Sequence, residues 1–145
     1  MFEPDPIIGT WKLNRSKSKL VHDLPIDVGQ NAEQATEVYQ EVEDQIEFTL
    51  TGTRISGEPI SGKSRWPRYG GIARVQEEVP SFEGILIVET LIAPGEWYLT
   101  FIKDGKQVIA VHKVISEDGS IMNLISKGTD TQGKPFEQIV VYERQ

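Results

Sequence analysis

The chain contains no cysteine. That excludes disulfides, thiolate nucleophiles and sulfur-ligated metals. It does not select a compartment, because a cysteine-free chain folds in reducing and oxidising surroundings alike. Only two histidines are present, His22 and His112. A catalytic zinc with three protein ligands would need carboxylates to complete its set, and neither metal nor cofactor is expected. No run approaches the roughly 18 apolar residues of a membrane-spanning helix. The opening MFEPDPII has neither a basic n-region nor an apolar h-region, so no signal peptide is expected there, and periplasmic or secreted and cytoplasmic locations stay open. Basic charge is scarce: 15 Lys and Arg stand against 22 Asp and Glu, a net charge of −7. Nucleic acid and anionic membranes both require a basic footprint, and neither is expected as a partner. Dinucleotide fingerprints and nucleophile elbows are missing. GEPISGKS ends like a phosphate loop, but it lacks the first glycine at the required spacing and a following helix.

What is there reads as β-structure. With 145 residues, 38% of them apolar and 26% charged, the chain is expected to form one domain over 1–145 with a real core. Turn signals recur at SGEP (56–59), APGE (93–96), KDGK (103–106), SEDGS (116–120) and TQGK (131–134). Glycine supplies the positive φ that tight hairpins need. Between them lie GILIVETLI, EWYLTFI, QVIAVHKVI, SIMNLIS and FEQIVVYE, rich in β-branched and aromatic residues. QIEFTLT sets Ile46, Phe48 and Leu50 on one face against Glu47, Thr49 and Thr51. NAEQATEVYQEVED fits a helix through Ala32, Ala35, Tyr39 and Val42, with Asn31 and Gln34 as a capping box. The strand reading is preferred, because a two-residue turn at Glu43-Asp44 would pair it with QIEFTLT. Residues 14–33 have no period and read as a long surface loop of the kind that often serves as a lid or binding loop. A series of short strands argues for an all-β barrel or sandwich.

The two chain ends carry a resemblance. GTWKL near the start and VVYERQ at the end resemble the calycin superfamily of lipocalins, fatty-acid-binding proteins and avidins. Gly9 and Trp11 match the lipocalin Gly-x-Trp, and Tyr142, Glu143 and Arg144 match the closing Tyr-Glu-Arg of many fatty-acid-binding proteins. The chain is also similar to a group of bacterial lipocalin-like proteins of unassigned function. The resemblance implies a single antiparallel up-and-down β-barrel of eight or more strands whose first and last strands pair. It implies barrel closure by Gly9, Trp11 and Arg144, with the arginine over the indole. One departure matters: fatty-acid-binding proteins hold a carboxylate with Arg-x-Tyr on the last strand, and here the arginine position is Val140. Residues 14–33 do not read as two lid helices either, so lipocalins are the better comparison.

Candidate sites follow from strand parity. Trp11 reads as an apolar plug whose indole N–H meets a nearby carbonyl. His112 faces inward if Val108, Ala110 and Val114 do, and would then offer a polar group to a ligand. Its facing turns on the hairpin: a two-residue loop at Asp104-Gly105 would put Trp97 beside His112, and a bulge would reverse the relation. KSRWPRYGGIAR gathers Lys63, Arg65, Arg68 and Arg74 around Trp66 and Tyr69. It reads as an edge strand ended by Pro67 or a barrel-mouth segment that receives a ligand. Glu77, Glu78 and Glu89 show no pairing signature, though Glu89 falls where it would point inside.

The expected function is non-covalent binding, for storage or transport, of a small hydrophobic molecule inside the barrel. The ligand-binding residues expected are Val38, Phe48, Leu50, Arg65, Trp66, Leu99, Phe101, His112 and Tyr142. No catalytic set is expected. The alternatives are an isomerase- or hydratase-type enzyme using His112 or Tyr142 as acid and base, and a filled barrel for protein contact. Fold alone does not separate them. Oligomeric state is left open.

Overall fold

A computed structural model describes residues 5–68, the backbone of 70–75, and residues 84–145. Ten strands follow in chain order: β1 (Gly9–Leu13), β2 (Ala32–Val42), β3 (Gln45–Arg54), β4 (Pro59–Pro67), β5 (Gly70–Val75), β6 (Ile85–Ala93), β7 (Glu96–Lys103), β8 (Lys106–Ile115), β9 (Ile121–Thr129) and β10 (Pro135–Arg144). Every strand pairs antiparallel with its sequence neighbour, and β1 pairs with both β2 and β10, so the sheet closes into an up-and-down barrel. Closure removes the free edges an open sheet would leave. The fold is the all-β barrel expected, and it is compatible with a calycin-like architecture.

The connections are where the turn chemistry puts them. At Asp104-Gly105 both residues have positive φ (52° and 76°), and they join Lys103 to Lys106 directly. That is the two-residue hairpin whose twist matches its strands. Glu43-Asp44 likewise joins Val42 to Gln45, so the segment 32–42 is a strand and not a helix.

One end of the barrel is plugged. Trp11 is wholly buried, and its indole N–H donates to the Ile7 carbonyl at 2.9 Å. The Arg144 guanidinium carbon lies 4.3 Å from the indole centroid. The same guanidinium donates to the carbonyls of Ile8, Gly119 and Pro6. Gly9 makes room for it, since a Cβ there would stand 2.7 Å from Arg144 Nη1, and its φ is +137°. Ile7, Trp97, Ile115 and Met122 complete a dry core at this end.

The other end carries the long loop between β1 and β2. It opens with one turn of 3-10 helix at Arg15–Lys17, capped by Asn14, and bridges β10 through Lys19 and Ile139. Two fully buried amides pin the rest. Gln138 Oε1 accepts from the Val21 N–H and its Nε2 donates to the Val28 carbonyl; Gln30 spans from Val28 N–H to Ile26 carbonyl. An Arg54–Asp27 ion pair at 3.0 Å, mostly buried, ties the loop to the end of β3. The loop is therefore a built cover and not a loose surface strand.

Candidate binding cavity

Between plug and loop lies a cavity in which a water centre can range over about 130 Å³, room for on the order of ten waters or one compact molecule of similar bulk. Its upper wall is apolar, formed by Val28, Phe48, Leu50, Ile60, Ile87, Leu99, Phe101 and Leu124. Tyr39, Phe48 and Trp66 form an aromatic cluster on one side, with ring centroids 5.1 to 6.2 Å apart.

The inner end is polar, which is not what an apolar wall alone would give. Lys113 projects from β8 and is 2% exposed. Its ammonium lies 5.0 Å from the Tyr39 ring centroid, 5.4 Å from that of Trp66 and 5.9 Å from that of Trp97. Cation–π attraction offsets part of the cost of burying that charge. Lys113 Nζ donates to the Tyr39 hydroxyl at 3.4 Å, and the Tyr39 hydroxyl donates to Glu37 Oε1 at 2.7 Å. The Tyr142 phenol lies near the same carboxylate and favours its charged form. Burial pushes the Glu37 carboxyl above its usual range, against the pull of Lys113 and the two phenols. Glu89, on β6 and also buried, is raised by burial too, with Lys113 pulling it down and Asp5 adding to the rise. Burial likewise raises both phenols.

The residues expected at the site divide. Phe48, Leu50, Trp66, Leu99, Phe101 and Tyr142 line the cavity together. Val38, Arg65 and His112 do not, and each is corrected by register. The turn at Glu43-Asp44 pairs Tyr39 with Phe48 and Glu37 with Leu50, which leaves Val38 opposite Thr49 on the outer face. Trp66 and Ser64 occupy the inner positions of β4, so Arg65 between them points out and pairs with Glu47 at 2.7 Å. His112 is reversed by a bulge. The Asp104-Gly105 loop has two residues, but the register slips between Phe101 and Ile102, so Phe101 pairs with Ile109 and Trp97 with Lys113. His112 therefore lies outside, stacked on Tyr98 with centroids 4.4 Å apart and bonded to Glu96 at 2.8 Å.

The basic patch dissolves in the same way. Lys63 and Arg65 meet Glu47 on the neighbouring strand β3, and Arg68, just past β4, meets Glu41 on β2. Arg65 holds the Glu47 carboxyl below its usual range. Tyr69, Glu77, Glu78 and the Arg74 side chain lie outside the described residues.

Glu37 and Lys113 were missed by hydrophobic patterning because a charged residue reads as outward, and Tyr39 because Val38 was taken as the inward residue of its strand. Register arithmetic from the Glu43-Asp44 turn would have found Glu37 and Tyr39. Nothing local marks Lys113. Among the described residues no group of three or more acidic or histidine side chains is placed to hold a metal, and no helix is long and apolar enough to cross a membrane. No protein-family model matches this chain, and no curated protein matches it closely enough to count as a relative.

Proposed function

We propose that this barrel is a lipocalin-like binding protein that holds one small, largely apolar molecule between the Trp11 plug and the loop 14–31. The observation that carries the reading is the partly open, aromatic-walled cavity lined by Phe48, Trp66, Leu99 and Phe101. Concave apolar space with a few placed polar groups is the usual form of a small-molecule site. Open volume at the centre supports a ligand over a filled barrel. The test is titration with the neutral apolar fluorophore N-phenyl-1-naphthylamine. Saturable enhancement at one probe per chain, with energy transfer from tryptophan, is expected, and Ala35→Phe, which fills the cavity, should abolish it. Absence of saturable binding sinks the proposal.

An acid–base enzyme on the same barrel is a second reading, favoured by the Lys113–Tyr39–Glu37 hydrogen-bond chain facing the cavity. His112, on the outer face, has no part in it. Turnover of a bound molecule that is lost in Tyr39→Phe while binding persists would move the function to this class.

A further inference from the structure

Among the described residues, three buried polar atoms at the cavity have no hydrogen-bond partner: Glu89 Oε1, Trp66 Nε1 and Ser126 Oγ. All three residues line the cavity and are at most 5% exposed. Unpartnered buried polar atoms are rare enough in folded proteins that each asks for a cause. Three around one space have a common one: a polar group that the fold leaves to be supplied.

The charges present define that group. Glu37, Glu89 and Lys113 place both signs inside one small volume. A ligand carboxylate drawn to Lys113 would also face two carboxyl groups. The other described lining cations are already paired, Arg54 with Asp27 at 3.0 Å and Lys63 with Glu47 at 3.6 Å. A ligand ammonium drawn to Glu89 would face Lys113. Either ion would lose its hydration without a dedicated counter-charge. A hydroxyl avoids both conflicts: its oxygen accepts from Trp66 Nε1–H or Lys113, and its hydrogen is donated to Glu89 Oε1. A carbonyl does the accepting half. The Tyr39, Phe48 and Trp66 rings favour a flat or alicyclic skeleton, since aromatic faces gain most from offset and edge contacts.

Resting on the binding reading above, we infer that the inner end of the cavity selects an uncharged ligand carrying a hydroxyl or carbonyl on a compact ring skeleton, recognised by Trp66, Glu89, Ser126 and Lys113. Sites built to hydrogen-bond a ligand hydroxyl discriminate strongly against analogues that lack it, because the site's own polar groups are then left bare.

Calorimetric titration at pH 7 with four near-isosteric probes tests this: naphthalene, 2-naphthol, 2-naphthoate and 2-naphthylmethylammonium. The expected order has 2-naphthol at least tenfold tighter than each of the others. Trp66→Phe keeps the ring and removes the N–H, and Glu89→Leu removes the acceptor. Each should bring 2-naphthol within about threefold of naphthalene while naphthalene itself is held as before. Equal or tighter binding of either ion, or a hydroxyl preference that survives both substitutions, overturns the inference and leaves the binding reading standing. No binding of any of the four, naphthalene included, overturns the binding reading and the inference with it.

Discussion

Lys113 and Trp97 face each other across β7 and β8, with the ammonium 5.9 Å from the indole centroid, because a bulge beside Phe101 turned the strand by one residue. That single slip puts a lysine where a histidine was expected and places an ammonium at the inner end of the cavity. A one-residue shift exchanges the two faces of a strand, so the consequence extends from Ile109 to Ile115.

Lys113→Met should destabilise the fold by roughly 2–4 kcal/mol at pH 8, because it leaves the buried Glu37 and Glu89 without an opposing charge. The loss should shrink at pH 5, where both carboxyls take up protons readily. Urea unfolding followed by tryptophan fluorescence at the two pH values checks it. An equal loss at both would show that Lys113 acts through packing alone.

The raised carboxyls also set the pH profile of the wild-type chain. Glu37 and Glu89 bind protons more tightly folded than unfolded, so over this window the native state carries more protons. Stability should then fall as pH rises from the ordinary carboxylate range through the raised values. Glu89→Leu removes one such group together with its unpartnered oxygen. It should gain about 1–2 kcal/mol at pH 8 and little near pH 4.5. Asp118 acts in the other direction: hydrogen bonds from Ser120 and Ser116 hold it at about 2, so its contribution is lost on acidification between 4 and 2, and Asp118→Asn should flatten that acid limb.

Arg144→Ala should cost about 2–4 kcal/mol, since it removes both the cation–π contact with Trp11 and charge-assisted bonds to three backbone carbonyls. Arg144→Lys should recover only part, because an ammonium lacks the planar fork that reaches several acceptors at once. Denaturant midpoints of the two variants give the comparison.

Arg54→Ala should loosen the loop over the cavity without unfolding the barrel. The partly buried pair with Asp27 is worth roughly 1 kcal/mol, so amide exchange through residues 19–31 should quicken about fivefold. Probe association and release should both accelerate. Unchanged exchange would show that the pair adds nothing to the other bonds that hold the loop.

His112→Ala should leave ligand affinity within about twofold and stability within about 1 kcal/mol, since the ring stacks on Tyr98 at the outer face. A large loss of affinity would place the binding surface outside the barrel.

Much of this architecture was legible before any coordinates. Turn glycines and alternating strands depend on local backbone preference and on period-two burial, which a single strand displays by itself; the pairing of the two chain ends was implied by their resemblance to calycins. Parity put Trp11 on the inner face, and the resemblance of the two chain ends implied its place under Arg144 as the plug. The inner wall was legible where it is apolar, at Phe48, Leu50, Leu99 and Phe101. It was illegible at Glu37 and Lys113, because patterning assigns charge to water and has no means of seeing that Tyr39, Tyr142 and Trp66 stand ready to receive it.

The linear sequence thus determined a series of antiparallel β-hairpins, their turns and the inward facing of Trp11, since each rests on interactions within one strand or one hairpin; closure into a barrel was implied by the resemblance of the two chain ends. Tertiary structure alone decided which side of β8 faces inward, that the loop 14–31 is pinned as a cover, and that two carboxyls and an ammonium share the cavity. The reason is physical: a bulge at one residue is a nearly balanced local choice. It is settled only when the closed sheet fixes the register of every neighbour, and the charge of the interior follows from that register.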